Sequence, residues 1–140
     1  MKKIEFFVEG DPKGKGRPRF RRAGNFVQTY TDAKTKSYEQ KISEAAKIAM
    51  NGLEPFKQPL WMTLRIYMPV PKSYSKKRSE ACLNGFEYPT KKPDIDNIAK
   101  AFLDAMNGIA YMDDIQVVML TAYKSYASIA GVEVECCEYL

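Results

Sequence analysis

The chain has 140 residues, 45% of them hydrophobic and 12% aromatic, which suits one globular domain with a modest core and leaves no room for a multidomain assembly. It contains no histidine, so Ser-His-Asp and Cys-His catalysis, HExxH metal sites and His-ligated zinc fingers are excluded. The formal net charge of +5 is segregated: residues 13–22 hold six basic residues and no acid, residues 71–92 hold six basic against two acidic, and residues 94–114 carry five aspartates against one lysine. Basic segments flanking an acidic cluster suggest a polyanion held next to a bound cation.

Residues 2–9 alternate Ile4, Phe6 and Val8 against Lys3, Glu5 and Phe7, the period of a strand with one buried face. The apolar run at the N-terminus is too short for a signal or spanning segment. Cys82, Cys136 and Cys137 fit neither a disulfide framework nor a CxxC motif. The expectation is a soluble cytoplasmic protein with reduced thiols and no membrane contact. Residues 10–25 carry four glycines and two prolines among basic side chains and read as a mobile loop able to approach phosphates. Phe26–Tyr30 reads as a second strand, closing a wide hairpin with the first around that loop.

The spacing of Tyr38, Ile42, Ala45, Ala46 and Ala49 predicts a helix over 35–50, stopped at Asn51-Gly52. Met62, Leu64, Ile66 and Met68 alternate with Trp61, Thr63, Arg65 and Tyr67, predicting a central strand that ends before Pro69 and Pro71. Phe6, Trp61 and Tyr67 read as core or dimer-interface residues. Residues 71–92 form a basic excursion in which KKRSEACLNG suits a short helix. Ile95, Ile98, Phe102, Ala105 and Met106 mark a second amphipathic helix closed by Asn107-Gly108, and 115–123 and 132–136 read as the last two strands. The order β-β-α-β-α-β-β predicts a single α+β domain over 1–140, a mixed sheet of four to five strands with two helices packed on it.

The segment KKPDIDNIAKAFLDAMNGIAYMDDIQVV, residues 91–118, concentrates the chemistry. Asp94 and Asp96 are two residues apart and cannot share a helix face, so Asp94 is placed at the N-cap and Asp96 in the first turn. Lys100 follows one turn later, and Asp113-Asp114 stands at a strand entrance eighteen residues after Asp96. Taken singly, these residues read as a cap, an ion pair and a turn. If that strand lies beside the one ending at Met68, its start approaches the helix N-terminus and the carboxylates converge. Three carboxylates within 4 Å repel pairwise by about 4 kcal/mol at an effective dielectric of 20. A hard cation, Mg2+ or Mn2+, relieves that conflict with oxygen ligands alone. Lys100 then orients a nucleophile or neutralises charge on the phosphate. Asp104, about 80° around the helix from Asp96, takes a surface or supporting role.

The pattern [KR]xDxDN, with a lysine four residues after the second Asp, then DAxNG and DDxQV, resembles the signature of RusA-type Holliday-junction resolvases of bacteria, phages and prophages. GKGRPRF followed by QTYTDAKTKSYEQ is similar to the phage-type branch of that family. The resemblance covers most of the chain and is strongest over 91–118. It implies a homodimeric, Mg2+-dependent endodeoxyribonuclease that resolves four-way DNA junctions by paired nicks in recombination and repair. Asp94, Asp96 and Asp114 are implied as metal ligands, with Asp113 the competing third ligand, and Lys100 as the essential lysine. The basic excursion at 71–92 departs from shorter members.

Beside that signature, Lys13, Lys15, Arg17, Arg19, Arg21 and Arg22 read as DNA contacts, with Gly14 and Gly16 allowing close backbone approach. Lys76, Lys77 and Arg78 are assigned the same role. Phe20 is either a wedge at an unpaired base or a hydrophobic anchor. Two other readings compete: a DNA-binding module with a structural acidic cluster, and an aspartyl phosphoacceptor domain, which the lack of a repeated β-α order disfavours.

Overall fold

The structure, a computed structural model, describes residues 2–16, 19–30 and 33–139, with the side chains of Arg19, Thr29 and Tyr30 also outside the description. Chain order is β1 (Lys3–Glu9), β2 (Arg19–Ala23), β3 (Phe26–Tyr30), α1 (Ala33–Met50), β4 (Leu60–Pro69), α2 (Lys76–Leu83), α3 (Ile95–Ala105), β5 (Val117–Ala127) and β6 (Gly131–Glu138), with a single 3-10 turn at Asp114–Gln116. The predicted α+β class holds, with a third helix, α2, inside the basic excursion.

β1, β6, β4 and β5 form a mixed sheet in that order. β4 is central, antiparallel to β6 and parallel to β5. A parallel pair needs a long crossover, and the segment carrying α2 and α3 supplies it. Alternation on β4 sends Leu60, Met62, Leu64, Ile66 and Met68 to one face, where α1 and α3 cover them. Ile42, Ala46, Ile98, Ala101 and Phe102 are fully buried there, and Tyr38 meets Phe102 edge to face at 6.0 Å between ring centres. α1 ends where expected, with Asn51 at φ 46° and Gly52 at φ 82°.

The opposite face carries Trp61, Thr63, Arg65 and Tyr67 of β4, each at least partly exposed. Arg65 lies 3.6 Å from both Glu133 and Glu135, and Trp61 stacks on Tyr139 at 4.8 Å. Of the three aromatics expected in a core or interface, Phe6 packs against the core, whereas Trp61 and Tyr67 stand on this open face.

The wide hairpin between β1 and 26–30 does not form. β3 pairs instead with β2, in a separate two-stranded hairpin. Gly24 at φ 63° supplies the positive φ required at the first central position of a two-residue turn. β1 takes the C-terminal strand β6 as its partner, register Ile4 with Cys136, with Ile4 and Val8 buried on the helix-covered face. No helix among the described residues is long and apolar enough to cross a membrane.

Candidate active site and nucleic-acid interface

α3 starts where Asp94 leaves extended backbone, φ −76° and ψ 156°, as the N-cap. Its side chain does not cap. Asp94 Oδ1 accepts instead from Asn97 Nδ2 at 2.7 Å, which keeps the carboxylate at the surface rather than folded onto the helix N–H groups. The Asp94 carboxyl is held below the ordinary carboxylate range, first by a hydrogen bond shared with the Asp96 carboxyl, then by Asn97 and the nearby Lys124 ammonium. Asp94 and Asp96 thus stand together at the start of α3, Asp94 as the N-cap and Asp96 in the first turn. Lys100 is exposed one turn further along α3.

Asp114 is elsewhere. After α3 the chain turns back through Gly108 at φ 76°, and buried Tyr111 ties the return to the helix by donating from its hydroxyl to the Leu103 carbonyl at 2.6 Å. Asp113 and Asp114 therefore emerge near the C-terminal end of α3. The Asp114 carboxyl is raised by burial first, then by Asp113, with Asp104 adding repulsion. Asp113 is committed to a cap: its Oδ1 accepts from Ile115 N–H at 3.2 Å, while Gln116 Oε1 accepts from the Asp113 N–H at 3.1 Å. Gln116 Nε2 donates onward to Phe56 O and Gln58 O, anchoring this turn to the segment before β4.

The expected convergence of Asp94, Asp96 and Asp114 within one chain is not found. β5 does lie beside β4, but in parallel, with its start at the start of β4, Val117 opposite Leu60. The end of β5 that reaches the α3 N-terminus is the Lys124 end, where Lys124 Nζ donates to Pro93 O and Lys91 O, both at 2.9 Å. The two acidic groups are separated by most of a helix, about 12 Å from Asp96 to Asp104 at 1.5 Å per residue. Among the described residues, no three Asp, Glu or Cys side chains are grouped to hold a metal ion.

The basic region is two structures rather than one loop. Residues 14–16 are a docked strap: Lys15 N–H donates to Asn97 O at 2.9 Å, Gly16 N–H to Thr35 Oγ1 at 3.0 Å, and a Cβ on Gly14 would lie 2.9 Å from Asn97 Cβ. Lys15 pairs with Glu39 and with Asp104, at 3.3 Å to the latter. Burial works against its ammonium, but the two carboxylates outweigh it and raise its pKa. Asp104, expected at the helix surface or in a supporting role, is thus the counterion of a lysine expected to touch DNA.

Beyond the strap, the β2–β3 hairpin projects with Phe20 68% and Phe26 75% exposed. Arg22 is exposed, Arg21 donates to Gln28 across the hairpin at 3.1 Å, and Lys13 is exposed before the strap. Arg17 and the Arg19 side chain lie outside the described residues. On α2, Lys76 and Lys77 are exposed, whereas Arg78 makes a two-pronged pair with Glu87, closest approach 2.6 Å, and lies 3.6 Å over the Tyr74 ring. Arg78 therefore holds the excursion together.

Sequence reasoning missed Lys124, which lies one residue beyond the strand expected over 115–123; in the structure β5 continues to Ala127. Asn97 was inside the quoted motif, but its bond to Asp94 is visible only in the fold.

The uncharacterized protein YqaN of Bacillus subtilis (strain 168) is 37% identical over 138 residues, spanning 94% of this chain and 93% of its own length. The profile of the endodeoxyribonuclease RusA family matches residues 9–136, a range that takes in the hairpin, the paired aspartates and the 3-10 turn. On that match the chain belongs to the RusA endodeoxyribonuclease family.

Proposed function

We propose that the protein is a Mg2+-dependent endodeoxyribonuclease that resolves four-way DNA junctions, acting as a homodimer in recombination and repair. The observation that carries this reading is the carboxyl pair Asp94–Asp96 at a helix N-terminus, held by Asn97, on which the strap leading to the basic hairpin also docks, in a chain of an endodeoxyribonuclease family. The pair offers only carboxylate oxygens, the donors that Mg2+ or Mn2+ takes. Such an ion lowers the pKa of bound water and offsets charge on a phosphodiester. Asp94 and Asp96 hold it, and Lys100 supplies positive charge to the scissile phosphate. Lys13, Arg21, Arg22, Lys76 and Lys77 position the DNA backbone.

Asp114 joins that set from a second copy. β5 is an open edge of the sheet, and Val118, Met119 and Leu120 are exposed on it. β5 runs from the Asp114 end to the Lys124 end, so two copies paired antiparallel along β5 bring Asp114 of each towards the Asp94 end of the other. A two-fold dimer also supplies the two sites that paired nicks require.

The test is incubation with labelled four-way junction, duplex and single-stranded DNA, with and without Mg2+. Symmetric nicks on the junction that need metal support the proposal. Binding without cutting in both Mg2+ and Mn2+ overturns it in favour of a DNA-binding module.

A further inference from the structure

Lys124 occupies an unusual position for a lysine. It lies opposite buried Ile66 in the β4–β5 register, in the row Ala122, Lys124, Tyr126 that faces the helices, where both neighbours pack against the core. Its ammonium stands at the N-terminal end of α3, the positive end of the helix dipole, where a cation is disfavoured. What holds it there is a pair of carbonyls, Lys91 O and Pro93 O, each at 2.9 Å. Pro93 immediately precedes Asp94. The two bonds therefore fix the backbone from which the first carboxylate departs, and they fix it to β5, the strand that begins beside Asp114.

An ammonium has three donors. With two given to carbonyls, one remains for an anionic group. Lys124 also lines, with Thr90, Lys91, Lys92, Asp94 and Ile95, an open cleft of about 470 Å³ beside the carboxyl pair. We propose that Lys124 is a positioning residue for the Asp94–Asp96 pair, tying the segment that enters α3 to β5 through its two carbonyl bonds. It acts through Asp94, so its role is separable from that of Lys100. This inference rests on the nuclease reading only for its consequence in catalysis; the clamp itself is a statement about the free protein.

The experiment compares full-length wild type, Lys124→Met and Lys124→Arg by Mn2+ titration without DNA, by amide hydrogen exchange over 91–98, and by junction cleavage. Loss of an outer partner of a metal ligand lowers metal affinity by about 10–100-fold. Lys124→Met is therefore expected to bind Mn2+ about tenfold more weakly, to exchange faster over 91–98 with β4 and β6 unchanged, and to lose kcat rather than KM. Lys124→Arg, whose guanidinium can reach both carbonyls, restores all three. Should the Met variant fail to fold, Lys124→Gln takes its place in the same comparison. A Met variant with wild-type Mn2+ affinity and wild-type exchange overturns the proposal, as does an Arg variant no better than Met. Wild type that binds Mn2+ and loses it on Lys124→Met, yet never cuts DNA, sinks the nuclease reading and leaves the clamp standing.

Discussion

The two ends of α3 carry the same kind of side chain in opposite electrostatic settings. At the N-terminal end, Asp94 and Asp96 sit where the helix dipole is positive, Asn97 donates to Asp94, and Lys124 stands near, so negative charge is favoured there. At the C-terminal end, Asp104, Asp113 and Asp114 gather where the dipole is negative; Lys15 answers Asp104, but Asp114 is left with raised affinity for its proton. At the first end the negative charge of Asp94 is already answered by Asn97 and Lys124. The second is a carboxylate whose surroundings favour its neutral form, and in the proposed dimer a cation at another copy's Asp94–Asp96 pair would answer its charge.

The strongest way to break that contrast is to remove one end at a time. Asp96→Asn and Asp114→Asn are each expected to cut junction cleavage by more than about 100-fold, the upper end of what outer partners of metal ligands cost, while junction binding in a gel-shift assay survives. Mixing the two inactive variants then distinguishes the arrangements. If each site draws on both copies, a mixed dimer retains one intact site and nicks one strand. Activity that stays absent in the mixture places the whole site within one chain.

The strap is next. Gly14 has no side chain because Asn97 Cβ and Pro93 Cβ would lie 2.9 and 3.3 Å from its Cβ. Overpacking of this kind costs about 1–3 kcal/mol. Gly14→Ala is expected to lower the melting temperature by several degrees, read by calorimetry, and to weaken metal binding, since the strap bonds the residue that orients Asp94. A Gly14→Ala protein with unchanged melting and unchanged metal affinity would show that the strap bears on neither.

Smaller still is the division of labour among the basic residues. Each phosphate contact contributes about −0.9 to the slope of log affinity against log salt. Arg22→Ala is expected to flatten the slope by about one, whereas Lys15→Met leaves it unchanged and lowers stability instead. A flattened slope for Lys15→Met would return that lysine to the DNA.

What could be read in the sequence follows from what periodicity encodes. Burial of one face imposes period 2 on β4 and period 3.6 on α1 and α3, so those elements were legible to within a few residues. Pairing partners were not, because alternation says which face a strand buries and not which neighbour it bonds. That is why 26–30 was assigned to β1 when the fold pairs it with β2. The paired aspartates were legible because two residues bracket a helix start. The distance from Asp96 to Asp114 was not, since parallel and antiparallel placements of β5 satisfy the same hydrophobic pattern and put its start at opposite ends of α3. Lys15 and Arg78 show the same limit from the other side: a basic run displays charge, and only packing shows which charges Glu39, Asp104 and Glu87 have already taken.

The smallest expected effect bears most directly on the second end of α3. The Asp114 carboxyl has its pKa raised in the folded chain, first by burial and then by Asp113. Below the ordinary carboxylate range it is protonated in both folded and unfolded states and costs nothing. As pH rises, the unfolded chain releases this proton first, so stability is lost through the folded pKa and stays lost at neutral pH. Asp114→Asn removes that loss. Its melting temperature is expected to equal wild type near pH 3 and to exceed it at pH 7, by no more than about 2 °C because the group is largely solvent-screened. Mg2+ is expected to close the gap from the other direction, since a ligand that binds only the folded state stabilises wild type by mass action and does so less for a variant that has lost one of its ligands. A variant less stable than wild type at pH 7 without metal would mean that Asp114 is already satisfied within its own chain.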